Sequence, residues 1–255
     1  MATIRDAKTL YGLIGYPIRH SFSAIYFNAK FEDEGISAYY NNFQLEDIGD
    51  LMEVIAEYPN LNGLNVTSPY TELVIPYMKE LDETARDVGA VNVIKFVREG
   101  KDNQLRLVGY NSDVTAFEMT MKKLLTPERK AALVLGTGGA AKAVTVALER
   151  LGVEVHAVSR RKSARTFTYE ELTRQMIADH KIIVNATPVG TLPDVEQCPD
   201  IPYRFLTAEH LCYDLVYNPS ETKFMRLAQE QGAQVKNGIE MLLLQAFKSY
   251  EIWNA

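Results

Sequence analysis

The feature that most constrains the fold of this chain is a cluster of small residues between an apolar strand and a helix. Residues 133–135 are typical of a short buried strand, and the segment GTGGAA follows at 136–141. An amphipathic helix then continues to Leu151, and a second apolar strand covers 153–158. This stretch predicts a βαβ unit, in which the two strands are parallel and the helix packs on their sheet.

Glycines in this context let a backbone approach a pyrophosphate while the helix N-terminus faces its charge. A glycine cluster alone is also compatible with a tight turn, but its place between strand and helix favours a dinucleotide site. An acidic residue at the end of the second strand would bind the ribose of NAD, whereas Ser159-Arg160-Arg161-Lys162 stands there. Basic residues also occur in solvated turns. Their position here favours NADP.

The rest of the chain predicts an α/β protein, and a length of 255 residues favours two domains. Ser21 is a candidate cap for the first helix, in which Ile25 is expected on the apolar face. The polar residues 126–130 are typical of a linker. The expected strands are 9–14, 38–43, 61–67, 153–158, 181–184 and 211–216, with a hairpin of 90–97 and 105–110 around 100–103. The expected helices are 46–58, 114–125, 169–178, 221–231 and 239–253.

Composition argues against several function classes. A net charge of −6, with acids and bases mixed along the chain, disfavours a nucleic-acid partner. The longest apolar runs are far too short to span a bilayer, and the first residues lack a signal-peptide pattern. Cys198 and Cys212 fit a reducing compartment, and the four histidines have no ligand-like spacing, so we expect no metal. These observations predict a cytoplasmic protein with a small-molecule substrate and no membrane partner.

Several polar side chains fall at predicted strand ends or in the loops after them. They are Ser21, Ser23, Asn65, Thr67, Asn92 and the segment 111–113, which ends in Asp113. An open α/β sheet builds its binding sites at these ends. Each residue alone is more often a cap or a turn residue. Together they suit a polyhydroxylated ligand.

Nine segments, in order, resemble the shikimate dehydrogenase family, and the resemblance extends from Gly12 to Trp253. The segments are GYPIRHSFS, GLNVTSPY, DVGAVNVI, GYNSD, GTGGAAKA, VSRR, NATPVG, DLVYNPSETKF and GIEMLLLQAF. The resemblance implies an α/β substrate domain of residues 1–112 and 238–255, and a Rossmann-like NADP-binding domain of residues 113–237. The C-terminal helix would return to the substrate domain. The oligomeric state stays open between monomer and homodimer.

The resemblance also implies an activity, the reversible NADPH-dependent reduction of 3-dehydroshikimate to shikimate in aromatic amino-acid biosynthesis. Related branches accept quinate. The implied substrate-binding residues are Ser21, Ser23, Asn65, Thr67, Asn92, Asp113, Tyr217 and Gln245. The implied cofactor-binding residues are Gly136, Gly138, Gly139, Ala140, Ser159, Arg160, Arg161, Thr187 and Gly238. Asp113 and Thr71 occupy the catalytic positions.

Two positions depart from the family pattern. Ala24 stands where the family has a proline, which should alter only the entry to the helix. Thr71 stands where the family has a lysine that works with the aspartate in proton transfer, and a threonine hydroxyl is not a proton acid near neutral pH. Neither Lys79 nor Lys95 is placed to replace that lysine. A second hypothesis is therefore a homologue that binds shikimate and NADP but has impaired catalysis.

Overall fold

The computed structural model describes residues 7–18, 21–100, 104–164 and 166–255. The chain divides into two compact units, the first reaching Ser112 and including 246–255, and the second being Asp113–Gln245. Arg19 and His20 of the first quoted segment, and residues 101–103 of the predicted hairpin turn, lie outside the described residues. The predicted α/β class with two domains is confirmed.

The first unit contains a mixed sheet of six strands within the described residues. The strands are β1 (Thr9–Gly15), β2 (Ala38–Gln44), β3 (Leu61–Val66), β4 (Glu80–Leu81), β5 (Val93–Glu99) and β6 (Gln104–Tyr110). Their order is β2-β1-β3-β5-β6-β4, with β1 parallel to β2 and β3, and β5 antiparallel to β3 and β6. The predicted strands 9–14, 38–43 and 61–67 and the hairpin are confirmed. Because β1 has parallel neighbours on both sides, the loops after β1 and β3 leave the same edge of the sheet.

Both faces of this sheet are covered by apolar residues. Leu10 and Ile14 point into a cluster with Leu51 and Ile55, whereas Tyr11 and Leu13 belong to a cluster on the opposite face. This alternation follows from the two-residue period of side chains along a strand. The helices of the unit are α1 (Ser23–Asp33), α2 (Leu51–Glu57), α3 (Tyr70–Leu73) and α4 (Glu83–Val88).

Three expectations about these helices are wrong. The predicted helix 46–58 begins later, because Ile48–Asp50 forms a 3₁₀ turn capped by Asp47 and only then does α2 start. Ser21 does not cap α1: Phe22 is the N-cap residue, without a side-chain bond, and the Ser21 hydroxyl accepts from the Ser23 backbone N–H at 3.3 Å. Ile25 is 67% exposed, so the apolar face of α1 is formed instead by residues such as Phe27.

The second unit contains a sheet in which all the paired strands of the described residues are parallel. The strands are β7 (Ala131–Leu135), β8 (Glu154–Val158), β9 (Thr166–Phe167), β10 (Ile182–Asn185), β11 (Leu211–Asp214) and β12 (Gln234–Lys236). Their order is β12-β11-β10-β7-β8-β9. The chain therefore winds in one direction from β7 and in the other from β10. Ligands of doubly wound sheets bind at the carboxyl ends of such a strand pair.

The helices after Ser112 are α5 (Asp113–Met121), α6 (Gly139–Arg150), α7 (Arg174–Asp179), α8 (Lys223–Glu230) and α9 (Ile239–Asn254). The helix α6 connects β7 to β8, which confirms the predicted βαβ unit. The predicted helix 169–178 is wrong, because Thr168 and Glu171 close a capping box around a 3₁₀ turn and Thr173 caps a new helix, α7. No helix in the described part of the chain is long and apolar enough to cross a membrane.

The last turns of α9 pack into the first unit, as the resemblance predicts. Trp253 is buried, its ring stacks on Tyr11 with centroids 4.6 Å apart, and its Nε1 donates to the Ile94 carbonyl at 3.1 Å. A Cβ atom on Gly63 would lie 2.3 Å from the indole, so β3 needs a glycine there. The indole is therefore an integral part of the core of the first unit.

We expect Trp253→Ala to lower the free energy of unfolding of the first unit by about 3–5 kcal/mol, because it leaves a large cavity and removes the hydrogen bond from the indole Nε1 to the Ile94 carbonyl. The matched control is Phe247→Ala on the same helix, whose ring is 49% exposed and whose loss should cost less than about 1 kcal/mol. Urea unfolding followed by circular dichroism measures both. Equal losses for the two variants would contradict this account of the core.

Candidate functional site

The loops after β1 and β3 pack directly against each other at one edge of the first sheet. Thr67 follows β3, and its backbone N–H donates to the Ile14 carbonyl at 2.9 Å. A Cβ atom on Gly15 would lie 2.4 Å from the Thr67 methyl group. Ser21 lies in the loop after β1, where its N–H donates to the Ile18 carbonyl at 3.1 Å. The structure thus brings Thr67 and the loop that carries Ser21 to the same sheet edge.

The amide of Asn65 is buried beneath this edge and is held by three hydrogen bonds. Its Oδ1 accepts from the Tyr40 hydroxyl at 2.9 Å. Its Nδ2 donates to the Asn92 carbonyl at 3.2 Å and to the Ser249 hydroxyl of α9 at 2.8 Å. A buried amide is stable only when its donors and acceptors are paired. These partners fix which way the Asn65 amide faces.

Asn92 belongs to the same network. Its Nδ2 donates to the Ser112 hydroxyl at 3.1 Å, and its Oδ1 accepts from the Ser112 backbone N–H at 2.8 Å. The Ser112 and Ser249 hydroxyls are 3.4 Å apart, and both residues are fully buried. The structure therefore joins the predicted residues Asn65 and Asn92 through Ser112, which lies in the predicted segment 111–113, and through Ser249, which sequence reasoning did not assign.

Tyr40 joins the network from β2, because its buried hydroxyl donates to Asn65 Oδ1. Ser23 is the first residue of α1 and is half-buried. Burial raises the pKa of Tyr40, so its hydroxyl keeps its hydrogen. Sequence reasoning missed Tyr40, since Tyr39 and Tyr40 have the same strand propensity. Side chains alternate between the two faces of β2, so Tyr40 lies on the same face as the buried Ala38, and only this relation indicates which tyrosine points inward.

Thr71 lies in the first turn of α3, as predicted, and is half-buried. Its carbonyl accepts from the Val91 N–H at 2.8 Å. Because α3 has only four residues, its dipole is that of a single turn. Lys79 is exposed, and the Lys95 ammonium donates to the Ala255 backbone oxygen at 2.7 Å. Lys95 is thus engaged away from position 71.

In the second unit, the glycine segment after β7 leaves open space in front of α6. Gly136 has φ +116°, which favours glycine, and its N–H donates to the Val158 carbonyl at 2.8 Å. Gly138 is the N-cap residue of α6 and provides no side-chain cap, and a Cβ atom there would meet nothing within 4 Å. Gly139 and the exposed Ala140 follow as the first residues of the helix. The N-terminal N–H groups of this 12-residue helix therefore face open space, which suits a pyrophosphate.

The basic segment follows β8 at the same edge of the sheet. Arg160 and Arg161 are exposed, and the Arg161 N–H donates to the Ser159 hydroxyl at 3.2 Å. The Lys162 ammonium pairs with Glu171. Two guanidinium groups and a hydroxyl are thus displayed where an adenosine 2′-phosphate would be recognised.

Thr187, in the loop after β10, is held by a buried network that sequence reasoning missed. Its N–H and hydroxyl both donate to Asn185 Oδ1, at 3.1 and 2.6 Å. Asn185 Nδ2 donates to Asp214 Oδ1 at 2.9 Å, and the Thr222 hydroxyl donates to Asp214 Oδ2 at 2.6 Å. Asn185, Asp214 and Thr222 are fully buried. The signal in the sequence is a carboxylate directly after three apolar strand residues, Leu211-Cys212-Tyr213.

The remaining predicted residues lie in or beside the second unit's helices and loops. Asp113 is the first residue of α5, where the helix dipole favours a carboxylate. A Cβ atom on Gly238 would lie 2.1 Å from the Leu215 carbonyl, so this position before α9 requires glycine. The Gln245 side chain donates to the Leu242 carbonyl at 2.9 Å, and Tyr217 is half-buried after β11.

Comparison with known proteins identifies the family. Residues 13–94 match the model described as shikimate dehydrogenase substrate binding domain. The chain is 34% identical to the shikimate dehydrogenase (NADP(+)) of Desulforamulus reducens, over 95% of this chain and 88% of that protein. The chain belongs to the shikimate dehydrogenase family.

Two solved structures of shikimate dehydrogenases have the same fold. The enzyme from Aquifex aeolicus is 32% identical, with a TM-score of 0.84 over 100% of this chain and 94% of that chain. The shikimate 5-dehydrogenase from Thermus thermophilus, solved in complex with NADP(H) and shikimate, is 28% identical. Its TM-score is 0.82 over 96% of this chain and 93% of that chain. The family similarity thus covers both units.

The Asp214 network predicts how stability depends on pH. Burial raises the pKa of Asp214 from 3.8 to about 6, although hydrogen bonds from Thr222, Val216 and Asn185 oppose the rise. Because the folded-state pKa is raised, protonated Asp214 contributes to the stability of the folded state. This contribution is complete below pH 3.8 and is lost as the pH rises through about 6. That difference in pKa corresponds to about 3 kcal/mol.

We therefore compare the free energy of unfolding of Asp214→Asn with that of the parent at about pH 4 and at about pH 7. The variant should gain up to about 3 kcal/mol on the parent over this range, because only the parent has this group to ionise. Urea unfolding at both pH values measures the difference. The control is Asp194→Asn, which removes an exposed carboxylate of the same unit. A difference between Asp214→Asn and the parent that does not change with pH would contradict the buried ionisation.

Proposed function

We propose that this protein is an NADP-dependent shikimate dehydrogenase, which catalyses the reversible reduction of the 3-dehydroshikimate ketone to shikimate in aromatic amino-acid biosynthesis. The observation that carries the proposal is the 34% identity to a shikimate dehydrogenase (NADP(+)) over 95% of the chain. We also propose that it acts in the cytoplasm, which is consistent with the free Cys198 and Cys212.

The second unit suits NADP as its cofactor. The uncapped end of α6 and the open space at Gly138 match a pyrophosphate, and the residue that follows β8 is Ser159 rather than an acid. We propose three sets of contacts: Gly136, Gly138, Gly139 and Ala140 with the pyrophosphate, Ser159, Arg160 and Arg161 with the adenosine phosphate, and Thr187 and Gly238 with the nicotinamide half.

The proposed substrate residues are neutral hydrogen-bonding groups and one carboxylate. Ser21 and Ser23 would donate to the substrate carboxylate. The groups that would bind the substrate hydroxyls are Asn65, Thr67, Asn92, Asp113 and Gln245, with Tyr217 lining the same site. The buried bonds of Asn65 and Asn92 support this assignment, because they hold each amide in one orientation before a ligand arrives.

When bound, NADPH supplies the hydride that reduces the ketone. The chain has to orient the substrate and manage one proton at the reacting oxygen. We propose that the Asp113 carboxylate takes part in that proton transfer. The Thr71 hydroxyl can donate a hydrogen bond to the same oxygen but keeps its proton near neutral pH.

The function is tested by the oxidation of NADPH with 3-dehydroshikimate, followed in a spectrophotometer beside a thermal-shift titration with shikimate. Turnover that depends on both substrates is the expected result. A second candidate, a binding homologue with impaired catalysis, is favoured by Thr71 alone and would show stabilisation by shikimate without turnover. Absence of both turnover and binding would overturn the proposed function.

We expect Arg160→Ala to raise the NADP KM by roughly 10- to 100-fold and to leave the NAD KM nearly unchanged, since a charge-assisted hydrogen bond contributes about 1.5–3 kcal/mol. Arg204→Ala is the matched control. It removes the same charge from an exposed position that precedes β11, and therefore lies away from the carboxyl ends of the strands. Equal use of NAD and NADP by the parent protein would contradict the assignment of the basic segment.

We expect Thr71→Lys to raise kcat by about 10²-fold and to leave the NADP KM unchanged, because a positioned general acid contributes about 10² to 10⁴-fold. Steady-state kinetics with deuterated NADPH measures the rate and shows whether hydride transfer has become more rate-limiting. Thr71→Met is the control, since it supplies length without a transferable proton and should give no gain. A Thr71→Lys protein no faster than its parent would mean that another group, or a water held by Asp113, already carries the proton.

A further inference from the structure

Tyr40 places a hydroxyl group at the centre of the buried network of the first unit. The residue is fully buried on β2, and its ring stacks on Phe27 with centroids 4.6 Å apart and planes at 9°. The Asn28 side chain donates to the Tyr40 carbonyl at 2.9 Å and accepts from its N–H at 2.8 Å. Both the ring and the backbone are therefore held, so the position of the hydroxyl is fixed.

Counting hydrogens shows what this hydroxyl does. Tyr40 has one hydrogen to donate, and Asn65 Oδ1, which has none, accepts it at 2.9 Å. The two Asn65 Nδ2 bonds described above constrain the nitrogen side of that amide. Tyr40 constrains the oxygen side.

Loss of this hydroxyl would act directly on Asn65. Asn65 Oδ1 would be left buried without its donor, and only the two Nδ2 bonds would still hold the amide. Tyr40 is fully buried and does not reach the surface of the sheet edge, so any effect on a ligand must pass through Asn65.

We propose that Tyr40 is a positioning residue for substrate recognition, whose hydroxyl orients Asn65, the asparagine proposed to bind a substrate hydroxyl. This inference rests on the proposed function. It makes affinity for the substrate sensitive to a buried residue that does not touch the substrate.

The test compares Tyr40→Phe with Tyr11→Phe in the full-length protein. Tyr11 is also buried, lies on the adjacent strand β1 and stacks on Trp253, but its hydroxyl bonds to Asn254 at 3.3 Å and to Asn62 at 3.5 Å. Tyr40→Phe should raise the shikimate KM about tenfold, the effect of losing about one net hydrogen bond, with kcat and the NADP KM within about twofold of the parent. Tyr11→Phe should change none of these constants by more than about twofold.

A second variant covers poor folding of Tyr40→Phe. Ser249→Ala removes a different bond to the Asn65 amide and should also raise the shikimate KM, by less than Tyr40→Phe does, because the Asn92 carbonyl still holds that nitrogen. The inference is overturned if the folded variants Tyr40→Phe and Ser249→Ala keep the parent's shikimate KM. It is also overturned if Tyr40→Phe and Tyr11→Phe lower Tm equally with no shift in KM. The proposed function stands in both cases. A parent protein that neither turns over nor binds shikimate overturns the proposed function, and the inference with it.

Discussion

A polar side chain buried at the end of a strand is stable only if its hydrogen bonds are made inside the protein, and both units are organised around this requirement. In the first unit the buried amides include Asn65 and Asn92. In the second unit the buried polar groups include Asn185, the last residue of β10. Each amide is hydrogen-bonded to residues of other chain segments. These bonds hold the segments together beside the candidate sites.

The two units meet this requirement with different chemistry. The first uses only neutral partners, so its network carries no charge that a change of pH could remove below the pKa of Tyr40. The second includes the Asp214 carboxylate, which accepts from Asn185, Thr222 and the Val216 N–H. A charged acceptor makes stronger hydrogen bonds but must be desolvated. The loop that carries Thr187 is thus held more strongly, at a cost that depends on protonation.

Sequence reasoning predicted the features that repeat a local pattern. The βαβ unit and the open glycine segment follow from apolar periodicity and from the absence of side chains at Gly136 and Gly138. It failed where two local signals competed: Thr173 begins a new helix inside a stretch whose periodicity continues, and Ser21 bonds to Ser23 without serving as the N-cap. Residue types alone do not reveal such competition.

The partners of the buried groups were out of reach for a different reason. Tyr40 meets Asn65 across 25 positions, and Ser249 meets it across 184. A serine in the middle of a helix or a tyrosine in the middle of a strand has no local feature that signals such a bond. The site residues at strand ends could be proposed from topology, whereas the residues that orient them required the packed structure.

The stacking of Trp253 on Tyr11 has a spectroscopic consequence. Trp253 is the only tryptophan in the chain, and its indole lies in the core of the first unit. Selectively excited indole emission therefore reports on that unit, whereas far-ultraviolet dichroism reports on the helices of both. A cofactor bound to the second unit would shift the unfolding transition seen by indole emission only if the two units unfold cooperatively. The size of that shift would measure the free energy that couples their unfolding, without any added label.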